Sequence, residues 1–337
     1  MATRRPLLGL AMVLSASLLF AVNGTVSKLV LRAGLTPPQL TLLRAAGAAI
    51  GLLALSVVLR PGIRRLRVTA GELPLLIGYG LAGFFLVPLL YFVAISRLPV
   101  GIALLLEYTA PLLVTLWARV VQRQRVRRRI WIGLALSLTG LAGIAEIWRG
   151  FTLDGLGALA GGGAAVLLAC YYLLGARGVA QRDTLSLTTW AFGTAAVAGL
   201  ITQAIGINAG GWAPLTADTG GVPVPVLCAY VVVLGSIAPY LLLAAALRHL
   251  PATSVSIIGM IEPVIAAAVA WLVLGASEAL TTGQLLGGAL VLTGVALAET
   301  ARLASAPPQR PPLPPAGGRP AGIVTVGGVT ERKPLAR

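Results

Sequence analysis

A duplication inside the chain constrains it most. The stretch from Arg97 to Ala145 returns in altered form from His249 to Ala298. Leu98-Pro99 recurs as Leu250-Pro251 and Pro111 as Pro263, each 152 residues on. Trp117 recurs as Trp271, and the block Gly133–Gly140 (GLALSLTG) as Gly287–Gly294 (GGALVLTG), each 154 residues on. Six of the eight pairs in that block are identical, and the second copy has gained two residues between Pro263 and Trp271. A repeated unit that cannot cover its own apolar surface needs its copy to do so. The two halves are therefore expected to fold against each other.

Both copies lie in apolar runs of membrane length. Only 11% of the residues are charged and 57% are hydrophobic, against about 25% charged in a soluble domain; mean hydropathy is +0.91. A helix crossing the ~30 Å hydrocarbon core needs roughly 20 apolar residues. Ten runs qualify, at about 7–27, 38–59, 74–95, 100–121, 130–148, 155–175, 185–206, 223–247, 251–274 and 281–300. The first follows Thr3-Arg4-Arg5 as a signal peptide would. No Ala-x-Ala site follows it and it belongs to the duplicated unit, so it reads as an uncleaved span. Residues 207–222 read as a loop, and the Pro/Gly/Arg-rich stretch from about Ser305 as a disordered tail. Cys170 and Cys228 fall inside apolar runs and read as small core residues, not as a disulfide or zinc pair.

The expected fold is an all-α integral membrane protein of ten helices, built as two five-helix repeats: 1–150, 151–304, then the tail 305–337. Five spans per half is an odd number, so the halves must be inverted relative to each other. The charges agree. With the N-terminus inside, the inner segments hold Arg4, Arg5, Arg60, Arg64, Arg65, Arg67, Arg123, Arg125, Arg127, Arg128, Arg129, Arg177, Arg182 and Arg248, whereas the outer loops hold Arg32, Arg97 and Arg149. That bias sets both termini in the cytoplasm. The duplicated loop agrees as well, reading RQRVRRR in the first half and GASEALTT in the second. The net charge of +16 is thus spent on topology, and no nucleic-acid partner is expected. The arginine-rich, Ala/Gly/Leu-rich usage points to a bacterial inner membrane. Inverted repeats of this kind place substrate sites near the midplane, between the halves.

These blocks resemble the EamA family of the drug/metabolite transporter superfamily. Its pattern ends each half with a proline-containing helix, a short loop with a Glu, and a glycine-rich last helix. Here that is IEPVIAAAVAWLVLGASE with QLLGGALVLTGVALA, and EYTAPLLVTLWARVV with IGLALSLTG. The segment NGTVSKLVLRAGLTPPQLTLLRAAGAA is similar to the family's first-helix Lys and second-helix Arg. The resemblance covers about residues 7–300. It implies a ten-helix transporter of small organic solutes, often an exporter of amino acids or related metabolites, working without ATP. The loop Glu stands at Glu278, but its first-half counterpart is Gln124.

A charge inside the membrane costs about 2.5–3.5 kcal/mol on insertion scales and so needs a reason. Lys28, Arg44, Glu107 and Glu262 are the four such charges. Glu107 and Glu262 precede Pro111 and Pro263, which free the carbonyls of Glu107 and Gly259 from helix bonds and make these points helix-breaking hinges. By the repeat, Glu262 aligns with Ala110, three positions from Glu107, which is nearly one turn, so both carboxylates are expected on one cavity. They bind a substrate amine or a coupling proton, or else pair with Lys28 or Arg44 as structural ion pairs. Arg44 faces the cavity and holds a substrate carboxylate, or snorkels; Lys28, near the outer end of its span, snorkels or joins the site. Tyr108 and Asn23 are expected to line the cavity, with Tyr171, Tyr172 and Trp190 as further lining or interface anchors. Glu146, Glu278 and Glu299, at span ends, and the single histidine, His249, read as solvated or capping.

No Walker sequence is present, which excludes ATP hydrolysis in this chain. One histidine and no HExxH or Ser-His-Asp set leave no basis for an enzyme, a metal or a cofactor. The sequence supports a secondary transporter, most often an exporter, moving a small-molecule substrate by alternating access, with H+ as a possible coupling ion. An uncoupled facilitator, exchanger or channel is the alternative, and a non-transporting scaffold the remote one. Lipid is a partner by location, and a homodimer is compatible with the chain.

Overall fold

Prolines and N-caps mark where the helices begin. Thr36 caps α2 (Pro37–Val58) through a reciprocal pair of bonds: its Oγ1 accepts from Gln39 N at 3.4 Å, and its own N donates to Gln39 Oε1 at 2.9 Å. Prolines 37 and 38 fill the next two positions, where no N–H is needed. Asp154 caps α8 (Gly155–Gln181) and Asp183 caps α9 (Thr184–Ala204) with one bond each, accepting from Gly157 N at 2.6 Å and from Ser186 N at 3.0 Å. Our structure is a computed structural model that describes residues 5–59, 62–150, 154–206, 218–219, 222–274 and 281–303. The tail 305–337, Glu278, most of the 207–222 loop and the side chain of Lys28 lie outside that set. The described end of the loop forms two-residue strands, Asp218–Thr219 against Val222–Pro223.

The chain is an all-α multi-pass membrane protein. Among the described residues, nine helices are long and apolar enough to cross a membrane. The first five spans are α1 (Pro6–Arg32), α2, α3 (Leu73–Tyr79) continuing into α4 (Val87–Arg97), α5 (Val100–Glu107) with α6 (Ala110–Val120), and α7 (Arg128–Ile144). The second five are α8, α9, α10 (Val224–Val232) continuing into α11 (Ala238–His249), α12 (Ala252–Gly259) with α13 (Glu262–Leu274), and α14 (Thr282–Leu303). With 17 residues, α7 is the shortest unbroken span, and α14 covers its length. The sequence reading placed α7 at 130–148 and ended the sixth span at 175. Its helix starts at Arg128, in the basic loop, and α8 runs six residues further, to Gln181; hydropathy marks the lipid core, whereas helix bonds continue beyond it.

Equivalent spans pack across the halves, and antiparallel. Gly133 of α7 faces Gly294 and Ala298 of α14, whereas Gly143 faces Gly283 and Gly287. In α2 and α9, Leu42 meets Gly199, and Ser56 Oγ lies 3.5 Å from Thr189 Oγ1. The first span of each half crosses to the third of the other: Gly9 packs on His249 and Leu250, and Gly157, its equivalent, on Arg97 and Leu98. Duplicated helices running in opposite directions are the inverted repeat, read directly from contacts.

Two features were not legible in the sequence. Spans three and eight each carry a π-helical segment, Gly80–Leu86 and Val233–Ile237, at equivalent places in the repeat. Such wide turns tend to sit at functional sites. A second is the corner where residues 62–72 dock on the α8–α9 turn. Arg182 donates to Glu72 at 3.0 Å, to the carbonyls of Arg65 and Arg67 at 2.9 and 2.8 Å, and to Ser186. Glu72 also accepts from Thr69 N at 2.8 Å and from its hydroxyl at 3.0 Å. These bonds, with the Arg182 charge, hold the Glu72 carboxyl below the usual carboxylate range.

Two predictions follow from the packing. A methyl on Gly133 would lie 2.5 Å from the Gly294 carbonyl, and one on Gly140 would meet the Gly287 carbonyl more closely still, whereas one on Gly162 would meet nothing within 4 Å. Gly140→Val should therefore cost about 1–3 kcal/mol by overpacking and lower the melting temperature of detergent-purified protein, with Gly162→Val unchanged. Because the folded Glu72 value is depressed, its contribution is fully present above the ordinary carboxylate value and lost as pH falls through the lower, folded one. Wild type should lose its stability margin over Glu72→Gln on acidification through that window, as read by parallel melts across pH.

Candidate functional site

The site grows from the two broken spans. Proline at the second position of α6 and α13 removes a helix bond, and the backbone tightens there. Thr109 N donates to Leu106 O at 3.1 Å, Met260 N to Ile257 O at 3.1 Å and Ile261 N to Ile258 O at 3.1 Å, all i→i−3 bonds. The breaks are equivalent in the repeat, since α5 ends at Glu107 where α12 ends at Gly259, and α6 starts at Ala110 where α13 starts at Glu262. The carboxylates thus flank one symmetric break from opposite sides. Glu262 is the first residue of α13, where free N–H groups favour an anion. Glu107 is the last residue of α5, where free carbonyls favour a donor.

Both carboxylates line one cavity of about 310 Å³ between the halves, together with Arg44, Asn23, Tyr108 and Tyr240. Tyr108 donates its hydroxyl to Glu262 Oε2 at 2.6 Å, which aims that carboxylate and occupies one of its lone pairs. Arg44, from α2, is only 6% exposed. Its Nε donates to Ser236 Oγ at 3.2 Å and Nη2 to the Tyr240 hydroxyl at 3.2 Å, and the guanidinium lies 5.6 Å from the Tyr240 ring centre. Ser236 belongs to the π segment of span eight, so that wide turn positions the arginine. Of the five guanidinium N–H groups, three remain for another acceptor.

Among the described residues, no salt bridge joins Arg44, Glu107 or Glu262 to an opposite charge; Arg44 therefore pairs with neither carboxylate, and the expected alternative partner, Lys28, has its side chain outside the described set. Asn23 Oδ1 is buried with no hydrogen-bond partner, beside Gly235 of the same π segment. Tyr171 and Tyr172 also line the cavity. Trp190 does not; its Nε1 donates to Leu66 O at 3.0 Å and it lines a separate apolar groove. Ser236 and Tyr240 were missed in the sequence, where a serine and a tyrosine in an apolar run carry no signal of an arginine 192 and 196 residues away. Two terminal carboxylates are bonded rather than only solvated: Glu146 accepts from Thr281 at 2.7 Å and Glu299 from Ser254 at 2.9 Å. His249 Nδ1 is exposed and accepts from Arg5 N at 3.4 Å.

The lining runs toward Leu31 and Ile95, at the ends of α1 and α4. The other end is stopped by packed rings. Phe84 lies 4.4 Å from Tyr240, 4.7 Å from Phe192 and 5.7 Å from Tyr171, and Tyr79 stacks on Tyr171 at 5.3 Å between centroids.

A cavity between inverted repeats, holding a buried guanidinium and two carboxylates and flanked by broken helices, defines a membrane-transporter architecture. The EamA-like transporter family matches residues 7–145 and 155–300, and the chain belongs to that family. It is 31% identical over 269 residues to the threonine/homoserine exporter RhtA of Escherichia coli K12, covering 79% of this chain and 83% of that protein. The counterpart of strain O157:H7 matches with the same figures. A crystal structure of a protein at 22% identity superposes with a TM-score of 0.66, covering 87% of this chain and 98% of that one, which speaks for the fold.

If the Tyr108 hydroxyl aims Glu262, Tyr108→Phe removes one hydrogen bond to a charged group, worth about 1.5–3 kcal/mol. Binding of a cationic ligand group should weaken roughly tenfold or more, without loss of fold, as read by titrating ligand-induced stabilisation.

Proposed function

We propose that the protein exports a small zwitterionic amino acid across the bacterial inner membrane in exchange for a proton, by alternating access. The observation that carries this is a buried guanidinium and two carboxylates sharing one cavity, with no salt bridge to any of them among the described residues. A zwitterion supplies both missing partners. Its carboxylate takes the free donors of Arg44 in a two-point contact. Its ammonium sits between Glu262 and Glu107, where the carbonyl end of α5 adds acceptors. Asn23 Oδ1, the unpartnered acceptor, suits a side-chain hydroxyl, and threonine and homoserine, the named substrates of the E. coli relative, both carry one. The protein moves its substrate without transforming it.

Proton exchange follows from competition. A proton and an ammonium cannot both occupy the same carboxylate, so protonation of Glu107 from outside displaces the ammonium and releases the substrate. Return to the inner face carries the proton in. Arginine distribution supports cytoplasmic termini. With that orientation the Leu31–Ile95 end faces outward, and the ring cluster of Tyr79, Phe84, Tyr171, Phe192 and Tyr240 is the closed inner gate.

The test is counterflow of labelled threonine, homoserine and serine in proteoliposomes, with and without a pH gradient. Arg44→Ala should raise the half-saturating concentration about 10–100-fold, the loss of one or two charge-assisted bonds. Glu107→Gln should retain exchange and lose its response to the pH gradient, whereas Glu262→Gln should lose both. Transport that ignores the gradient in wild type and Glu107→Gln alike would make the protein an uncoupled facilitator.

A further inference from the structure

A second cavity, of about 620 Å³, lies on the outside of the bundle between α2, span three and α9. Its lining is almost wholly apolar. Ile50, Leu53, Ile77, Val197 and Ile201 form its walls and are all well exposed in the chain, while Gly193 and Ala198 belong to its small-residue lining. Along α9 the lining runs from Trp190 to Ile201, about 16 Å at 1.5 Å per residue. That is close to one leaflet of a ~30 Å hydrocarbon core. A groove about one leaflet long, open to lipid and almost wholly apolar in its lining, fits one acyl chain.

The mouth adds charge. Leu66 lines the groove at the Trp190 end, and the Trp190 indole ties the Leu66 carbonyl there. Arg65 turns inward, 3.7 Å from Asp183. Its neighbours Arg64 and Arg67 are exposed, and among the described residues neither side chain makes a salt bridge. Two exposed arginines flanking Leu66, the residue that lines the groove at this end, complement a phosphate headgroup. We propose that this groove is a binding site for an anionic phospholipid, with its acyl chain along α9 and its phosphate between Arg64 and Arg67. The walls come from spans two, three and seven, which also carry Arg44 and three of the cluster rings, Tyr79, Phe84 and Phe192, so a seated lipid braces helices that border the inner gate.

The test is native mass spectrometry of the detergent-purified full chain titrated with phosphatidylglycerol or phosphatidylcholine. Wild type should retain phosphatidylglycerol at lower lipid concentration. Arg64→Ala/Arg67→Ala should weaken it about tenfold or more, at ~1 kcal/mol per basic residue near a headgroup, leaving phosphatidylcholine unaffected. A side chain at Gly193 meets nothing within 4 Å, so Gly193→Leu fills the groove without disturbing the core and should weaken both lipids. If Gly193→Leu fails to fold, Val197→Trp on the exposed wall carries the same test. Equal retention of the two lipids, or retention unchanged by the filling variant, overturns the proposal. A dimer that the filling variant splits while lipid adducts persist also overturns it, in favour of a second copy on this face.

Discussion

The approach of α7 to α14 governs the rest. Glycines on both helices let backbone meet backbone, and Gly133, Gly140, Gly143, Gly287 and Gly294 each face a carbonyl or Cα of the other helix. Lipid tails are as apolar as leucine, so helices in a membrane are held by close packing rather than by exclusion of water. The glycine pairs supply that contact along the full length of two spans, one from each half. With the fifth spans joined, the third span of one half meets the first of the other, and the two broken spans face each other across the cavity. The site exists because neither half is complete alone.

Duplication fixed positions but left side chains free, and the site depends on the difference. Arg44 is equivalent to Ala191, taking the N-caps Thr36 and Asp183 as matched. Asn23 corresponds to Tyr171, Ser236 to Phe84 and Tyr240 to Pro88. Where one half contributes a polar group to the cavity, the other places an alanine, a ring or a proline at the matching position. Only the broken spans hold a carboxylate from each half, one before the break and one after it. The helix ends then treat the two unequally, N–H groups facing Glu262 and carbonyls facing Glu107.

Most of the frame was legible in the sequence because membrane helices announce themselves by length and apolarity, and because paired prolines and glycines survive in both copies. Glu107, Glu262, Arg44, Tyr108 and Asn23 were legible as well, each a polar residue where lipid would penalise one, and the structure brings all five to one cavity. Their partners were not. Ser236 and Tyr240 acquire meaning only through a contact nearly two hundred residues away, and the π segment that presents Ser236 has no proline or charge to betray it. Trp190, a candidate lining residue by sequence, lies off the cavity at a span end, where its indole ties down a loop.

The unequal side chains also bear on which way the empty protein rests. In the alternating access proposed above, an inverted repeat would reach its second state by exchanging the shapes of its halves, so the outer closure would use the positions equivalent to the inner ring cluster. Those positions hold Val231, Ser236, Asn23, Ala45 and Pro88 in place of Tyr79, Phe84, Tyr171, Phe192 and Tyr240. Aromatic pairs contribute about 0.5–1.5 kcal/mol each beyond area burial, and the outer set has none to offer. Under the proposed alternating access, the two states would be related in shape but unequal in energy, and the unloaded equilibrium would lean toward the form sealed by the rings.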